Sequence, residues 1–366
     1  MKTISIISTY PQNGSQNIGD FLITQCTKDI IQDTYPNEEI KFHILWRASQ
    51  WDEIKKRIEE SDFIIFACLA IRPNMSIIEY PALKEILSSN IPYGILSAGT
   101  SINYNYANNI VDQFSNEVIK ILKKINDEAV FFNTRGVLSQ YVCSKMELNN
   151  VTFAGDIAFY DKRFIKKSFK PVQQISKIAI SDPHNSKLFL NPLKQLFSGL
   201  KGLFPRSEIH ILLHGHNPKV EGFCLNNNIT CKSLFKNPDE SLDEYDNYDI
   251  HVGFRVHAHI SMLKRKKPSY LLEQDGRGID YGLTLDKKIS VNCSPYYSEI
   301  VGLRNLIRRI FKRKYHKRPI ISRSNIDFLL SIISHDLKNN FSKFISLENQ
   351  METFNKNILQ DIKMIF

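Results

Sequence analysis

The chain is predicted to be an α/β protein with two Rossmann-like domains facing a central cleft, followed by a helical C-terminal extension. Three observations predict it. Short apolar runs alternate with stretches of helical period over the first 160 residues; the alternation resumes after a basic break at 160–177; and 366 residues suit two domains of ordinary size. Hydrophobic residues make up 42% and charged residues 23%, which excludes a disordered or membrane-spanning class. The longest apolar run, Phe63 to Ile71, falls far short of the ~20 residues of a bilayer helix. The start, Met1 to Ser8, alternates like a strand and lacks the apolar core of a signal peptide, so a cytoplasmic location is expected.

In chain order, β-rich runs predict strands at Thr3 to Thr9, Ile40 to Trp46, Asp62 to Ala70, Tyr93 to Ala98, Ala129 to Asn133 and Val151 to Phe153. Helical spacing between them predicts helices at Ile18 to Asp33, Trp51 to Glu60, Ile77 to Leu87, Asn108 to Ile125 and Arg135 to Met146. The basic, weakly apolar stretch Tyr160 to Lys177, with Pro171 inside it, reads as an interdomain connection. Strands are then expected at Ile178 to Ser181, Glu208 to Leu213, Thr230 to Lys232, Asp249 to Val252 and Ser269 to Leu272. Their helices are expected at Leu188 to Leu203, Pro218 to Asn226, Asp239 to Tyr245, Val256 to Arg265 and Gly276 to Leu283. This divides the chain into a first domain over 1–165, a second over 166–298 and a helical basic extension over 299–366. The extension either crosses back to brace the first domain or pairs with a second subunit as an oligomer contact.

The net charge of +10 is local. Eight basic residues between Arg304 and Arg318 carry most of it, leaving +2 for the rest. Residues 300–318 therefore read as a basic amphipathic helix suited to an anionic membrane surface, or as one packed by its apolar stripe with a solvated charged face. Confinement of the charge to one segment argues against a nucleic-acid partner. The six cysteines are scattered without metal spacing and read as reduced, buried thiols.

Function is expected in the cleft, outside the carboxyl ends of the strands. The turn Thr9 to Asp20 precedes a helix; its Gly14 and Gly19 let a ligand approach the backbone, and free N–H groups at the helix start attract an anion, while the plainer reading has Asn17 or Asp20 capping the helix. The densest signal is Asp249 to His259, at a strand-to-helix junction opened by Gly253. There Arg255 offers a planar fork for carboxylate or phosphate, and His257 can exchange a proton near neutral pH. His259 reads as a structural histidine. A metal pair of His257 and His259 lacks a third ligand, so no metal is expected. Further polar residues at strand ends are Arg135, Asp182, His184, His214, His216, Glu273, Gln274 and Asp275.

Three segments, in order, resemble the polysaccharide pyruvyl transferase family: Asn17-Ile-Gly-Asp20, the run from Thr134-Arg135 to Asp156, and Gly253-Phe-Arg255-Val-His257-Ala258. The resemblance spans about residues 1–290. It implies a GT-B-like fold, with the first domain on the acceptor side and the second on the donor side, and transfer of the enolpyruvyl unit of phosphoenolpyruvate onto two sugar hydroxyls as a ketal, with no cofactor and with a free or lipid-linked saccharide as acceptor. It assigns His257 and Asp20 to catalysis, and Arg255, Gly253, Asn17, Gly19, Arg135, His184, His214 and Arg277 to substrate binding. The chain departs from the family pattern in having no glycine over Ala67 to Pro73, Asp182-Pro-His184 where an arginine is common, and Arg277 where a lysine is common. A GT-B glycosyltransferase using a nucleotide-activated sugar remains the alternative.

Overall fold

Strand Lys2–Ser8 has every residue but the first buried, and strand Phe63–Ala67 is buried throughout. Such strands cannot sit at a wetted face, and in the computed structural model they lie inside a parallel sheet covered on both sides. The structure describes residues 1–10, 17–102, 110–299 and 317–366. The first sheet runs in the order Ile40–Trp46, Lys2–Ser8, Phe63–Ala67, Tyr93–Thr100, Phe131–Thr134, Thr152–Phe153, with Ala70–Ile71 added beside Tyr93–Thr100. The second runs Cys231–Ser233, Glu208–Leu213, Lys177–Ser181, Ile250–Gly253, Ser269–Glu273, Ser290–Asn292. All these pairings are parallel. Each sheet reverses its winding direction once beside its first strand, the second between Lys177–Ser181 and Ile250–Gly253, and α/β sheets bind ligands at such a reversal.

The two Rossmann-like sheets and the helical C-terminus match the expected fold class, and several elements differ in detail for identifiable reasons. The predicted helix Ile77 to Leu87 contains Pro81, which has no N–H to donate; it splits into a π-turn Met75–Glu79 and a short helix Leu83–Leu87. The strand predicted to reach Ala70 stops at Ala67, because Cys68 takes a left-handed φ of 57° before Ala70–Ile71 resumes. Ser115 caps the next helix through the Val118 N–H, so that helix is Asn116–Glu128 and starts later than expected. Strand Ser290–Asn292 and a hairpin of Tyr296–Glu299 with Lys317–Ile320 were not foreseen.

The tail answers one of the open alternatives. Helix Arg323–Lys338 packs on the second half, where the Tyr270 hydroxyl donates to Asp336 (2.5 Å). Helix Glu348–Ile362 returns to the first half, where Asn133 donates to Asp361 (2.6 Å) and Phe354 packs against Phe153 and Phe159. One hydrophobic core therefore contains strands of both sheets together with the tail, from Ile4 through Ile178 to Ile362. The basic segment read as an amphipathic helix lies, over 300–316, outside the described residues, as does Gly14. The cysteines are free thiols, all buried except half-buried Cys231. Among the described residues no helix is long and apolar enough to cross a membrane.

Candidate functional site

Strand Lys177–Ser181 and strand Ile250–Gly253 align Ser181 with Gly253, and a Cβ at 253 would overlap the Ser181 hydroxyl and backbone. Glycine is required there because that hydroxyl has a task. Its oxygen accepts the N–H groups of Phe254 and Arg255, both at 3.0 Å, at the start of helix Val256–Lys264. A serine from the neighbouring strand thus supplies the cap that Arg255 does not. The Ser181 O–H then points to His251 Nε2 (2.9 Å), His251 Nδ1–H to Ser269 (2.7 Å), and the Ser269 O–H to His259 Nδ1 (2.8 Å), a donor order assigned from the network itself. Burial holds His251 far below the ordinary histidine range and His259 at about 3, so both are neutral. His259 is a fully buried structural residue, as expected.

Arg255 and His257 stand where this strand becomes a helix. The Asp182 carboxylate, fully buried, occupies the Arg255 fork, accepting from Nε (3.0 Å) and Nη2 (2.7 Å); it also accepts the His214 N–H (3.0 Å) and the Asn217 amide (2.8 Å). Nη1 faces His184 Nδ1 at 3.4 Å. The bidentate face expected to meet an external anion is therefore engaged internally. His214 is buried, with Nε2 and the Tyr245 hydroxyl 2.5 Å apart, and burial with nearby Arg255 lowers its pKa well below the ordinary value. His184 is lowered for the same two reasons.

The first half closes over this motif. Asn17 accepts the Gly19 N–H (3.2 Å), its amide donates to Asp20 (3.1 Å), and the Ile18 N–H donates to the His214 carbonyl (3.2 Å) across the two halves. The His257 ring lies directly on Gly19, where any Cβ would overlap Nδ1. Gly19 thus admits the imidazole, a role the sequence reading gave to a ligand. Burial lowers the His257 pKa, Asp156 and Asp20 oppose that shift, and Arg135 and Arg277 add to it. Asp20 acts on His257 electrostatically.

Arg135 is 7% exposed, with its guanidinium against Gly99, its Cζ 5.7 Å from the Tyr281 ring centre and Nη1 4.0 Å from Asp156. Asp156 in turn accepts the Tyr281 hydroxyl. Arg277 pairs with Asp275 (2.6 Å); burial alone would raise the Asp275 pKa, and Arg277 holds it below the ordinary value. Asn17, Arg135, His214, Arg255, His257 and Arg277 all line one narrow cleft between the halves, with about 30 Å³ of free space, room for two waters at roughly 10–15 Å³ each. Gly253, Gly19, His184 and Asp20, also expected at the site, are not among its lining residues. Three buried nitrogens of residues that line it, Arg135 Nε, His214 Nδ1 and His257 Nε2, have no hydrogen-bond partner among the described residues, nor has His259 Nε2 away from it. No group of three or more His, Cys, Asp or Glu side chains is arranged to hold a metal among those residues.

The sequence reading missed what holds the cleft shut. Helix Gly276–Thr284 of the second half presents Asp280 to helix Val137–Lys145 of the first, whose own cap residue, Gly136, has no side chain. Asp280 accepts the Leu138 N–H (2.8 Å) and the Ser139 hydroxyl (2.5 Å), and Thr284 accepts the Val137 N–H (2.9 Å). The one signal available was Asp280 and Thr284 four apart on a single helix face.

Comparison with known proteins agrees with the motif order. A family model described as polysaccharide pyruvyl transferase matches residues 17–275. No curated protein matches the chain. Solved structures are more distant. The wall teichoic acid polymerase TagF is 11% identical with a TM-score of 0.45, over 99% of this chain and 89% of that one. A UDP co-structure of MnaA from S. aureus is 12% identical (TM-score 0.44; 75% and 80%). The UDP-GlcNAc 2-epimerase of Methanocaldococcus jannaschii is 10% identical (TM-score 0.41; 92% and 100%).

Proposed function

Because the chain belongs to the polysaccharide pyruvyl transferase family, we propose that it moves the enolpyruvyl unit of phosphoenolpyruvate onto two hydroxyls of a cell-surface saccharide, free or lipid-linked, and releases phosphate. One observation supports this reading above others: three buried, unpartnered nitrogens, Arg135 Nε from the first half and His214 Nδ1 and His257 Nε2 from the second, belong to residues lining a single cleft. An unsatisfied buried polar atom costs about 1–3 kcal/mol, and a ligand that pairs with such atoms recovers that cost on binding.

The reaction adds a sugar oxygen to C2 of the donor while C3 gains a proton; a second hydroxyl then displaces phosphate and closes the ketal, its proton leaving with the phosphate. His257 rests neutral because its pKa is lowered. A neutral imidazole can take the first hydroxyl proton and relay it to C3 within one addition step. Arg135 and Arg277 supply the positive charge at the donor, and the Nη1 edge of Arg255 adds a third contact. Arg277 is the adaptable member, since it and Asp275 are each about a third exposed (34% and 30%) and can part. With about 30 Å³ free, the walls must separate to admit a donor.

The test is thermal stabilisation by phosphoenolpyruvate against a panel of nucleotide sugars. Stabilisation by phosphoenolpyruvate, abolished in Arg135→Met, is expected. Stabilisation by a nucleotide sugar alone would reject the donor.

A further inference from the structure

Beside the cleft lies a second concavity of about 450 Å³, within the roughly 300–1,000 Å³ of small-ligand sites. Its walls are helix Val137–Lys145 and helix Gly276–Thr284, and it contains three of the chain's exposed large apolar side chains, Val137 (45%), Tyr141 (39%) and Leu283 (57%). At its base is Glu273, only 4% exposed. The molecule is shaped around that carboxyl. Its Oε1 accepts the Ser290 hydroxyl (2.5 Å) and lies 4.0 Å from Lys288 Nζ. A Cβ at Gly282 would overlap the carboxylate, and one at Gly278 would come within 2.7 Å of the Glu273 Cα. Burial raises the Glu273 pKa against Ser290 and Lys288, so the group sits there at a cost to stability.

We propose that this pocket is a subsite for a neutral sugar unit of the acceptor, one remote from the unit that reacts. The proposal rests on the family reading for its ligand class and on the pocket for its place. Lys288 offsets Glu273, so neither an anion nor a cation gains much on entry. A neutral ring instead offers hydroxyls to Glu273 Oε2, Lys288 and Asn292, and its C–H face to Leu283 and Val137. The pocket shares no lining residue with the cleft but adjoins it along the chain. Glu273 is two residues before Asp275 and Val137 two after Arg135, spans of at most about 7 Å along the chain. The unit it would take is a remote one of a polymeric acceptor reacting at His257.

The experiment presents the full chain to an array of neutral, anionic and amino-sugar oligosaccharides of varied length, with the phosphoenolpyruvate thermal shift read in parallel. The variants are Leu283→Glu, at an exposed position that folding tolerates, and the isosteric Glu273→Gln. Wild type should bind the longer neutral oligosaccharides about tenfold tighter than disaccharides, and Leu283→Glu should abolish that length preference with the donor shift intact. An unchanged length preference in both variants overturns the subsite, as does a wild-type chain that binds only charged saccharides or none. The donor shift is a separate readout, so failure of the pyruvyl reading is told apart from failure of the subsite.

Discussion

Replacing Asp280 by alanine tests whether the second half caps a helix of the first. The carboxylate is fully buried and accepts from the Leu138 N–H at 2.8 Å and the Ser139 hydroxyl at 2.5 Å, with a longer contact to the Ser139 N–H at 3.4 Å. Alanine leaves two well-formed donors buried without an acceptor. At about 1–3 kcal/mol for each of the two unsatisfied groups the loss is about 3 kcal/mol, above the ~2 kcal/mol that ends the range of helix-cap substitutions because two donors are orphaned at once. Because the chain has two halves, a single global unfolding energy is a poor measure, and amide hydrogen exchange at Leu138 and Ser139 reports the local opening directly. A loss of about 3 kcal/mol corresponds to a fall of about a hundredfold in protection at those amides. Ser139→Ala should cost less, and the double variant should cost less than the sum, because one acceptor serves both donors. Protection falling by less than about threefold in Asp280→Ala would refute the cap.

Three other outcomes follow from the same contacts. Gly19→Ala should displace the His257 ring and lower kcat/KM at least about tenfold while thermal stability changes by less than about 2 kcal/mol; unchanged kinetics would show that the ring has room elsewhere. Arg255→Lys should destabilise the chain as well as weaken the donor response, because a point charge cannot reproduce the two contacts that neutralise buried Asp182; breaking a buried pair costs about 3–5 kcal/mol at most, and an unaltered melting temperature would refute it. Stability should fall as pH drops below about 6.5: His214, His251 and His259 have lowered folded pKa values, so their contribution is complete above the unfolded value and is lost on acidification. His259, held at about 3, contributes roughly 2 kcal/mol of the decline between pH 6.5 and 5, and the decline should be shallower in His259→Gln; equal slopes would remove the histidine from the account.

Legibility followed the range of the interactions. The alternation of strands and helices, the tandem halves and the motif from Gly253 to His257 were readable because each depends on local spacing: strand burial, helical period and a glycine turn. Proline at 81 should have been read as a helix break, and the left-handed turn at Cys68 gave no signal because cysteine has no preference for it. The partners of the site residues lay beyond reach. Nothing in the run from Asp182 to His184 announces that its carboxylate takes the fork of Arg255, 73 residues later. Nor does Asn17 to Asp20 state that its glycine is reserved for the His257 ring.

By itself, the amino-acid order determined which residues could form buried parallel strands, where the chain turns from strand to helix, and which side chains carry a guanidinium or an imidazole at those turns. Tertiary structure alone decided that Arg255 is neutralised from within, that Arg135 and His257 are left with unpaired nitrogens, and that Asp280 ties the two halves together. The reason is physical. Periodicity and turn chemistry act over a few residues, whereas pairing, desolvation and pKa depend on which groups from distant segments share a space that water has left.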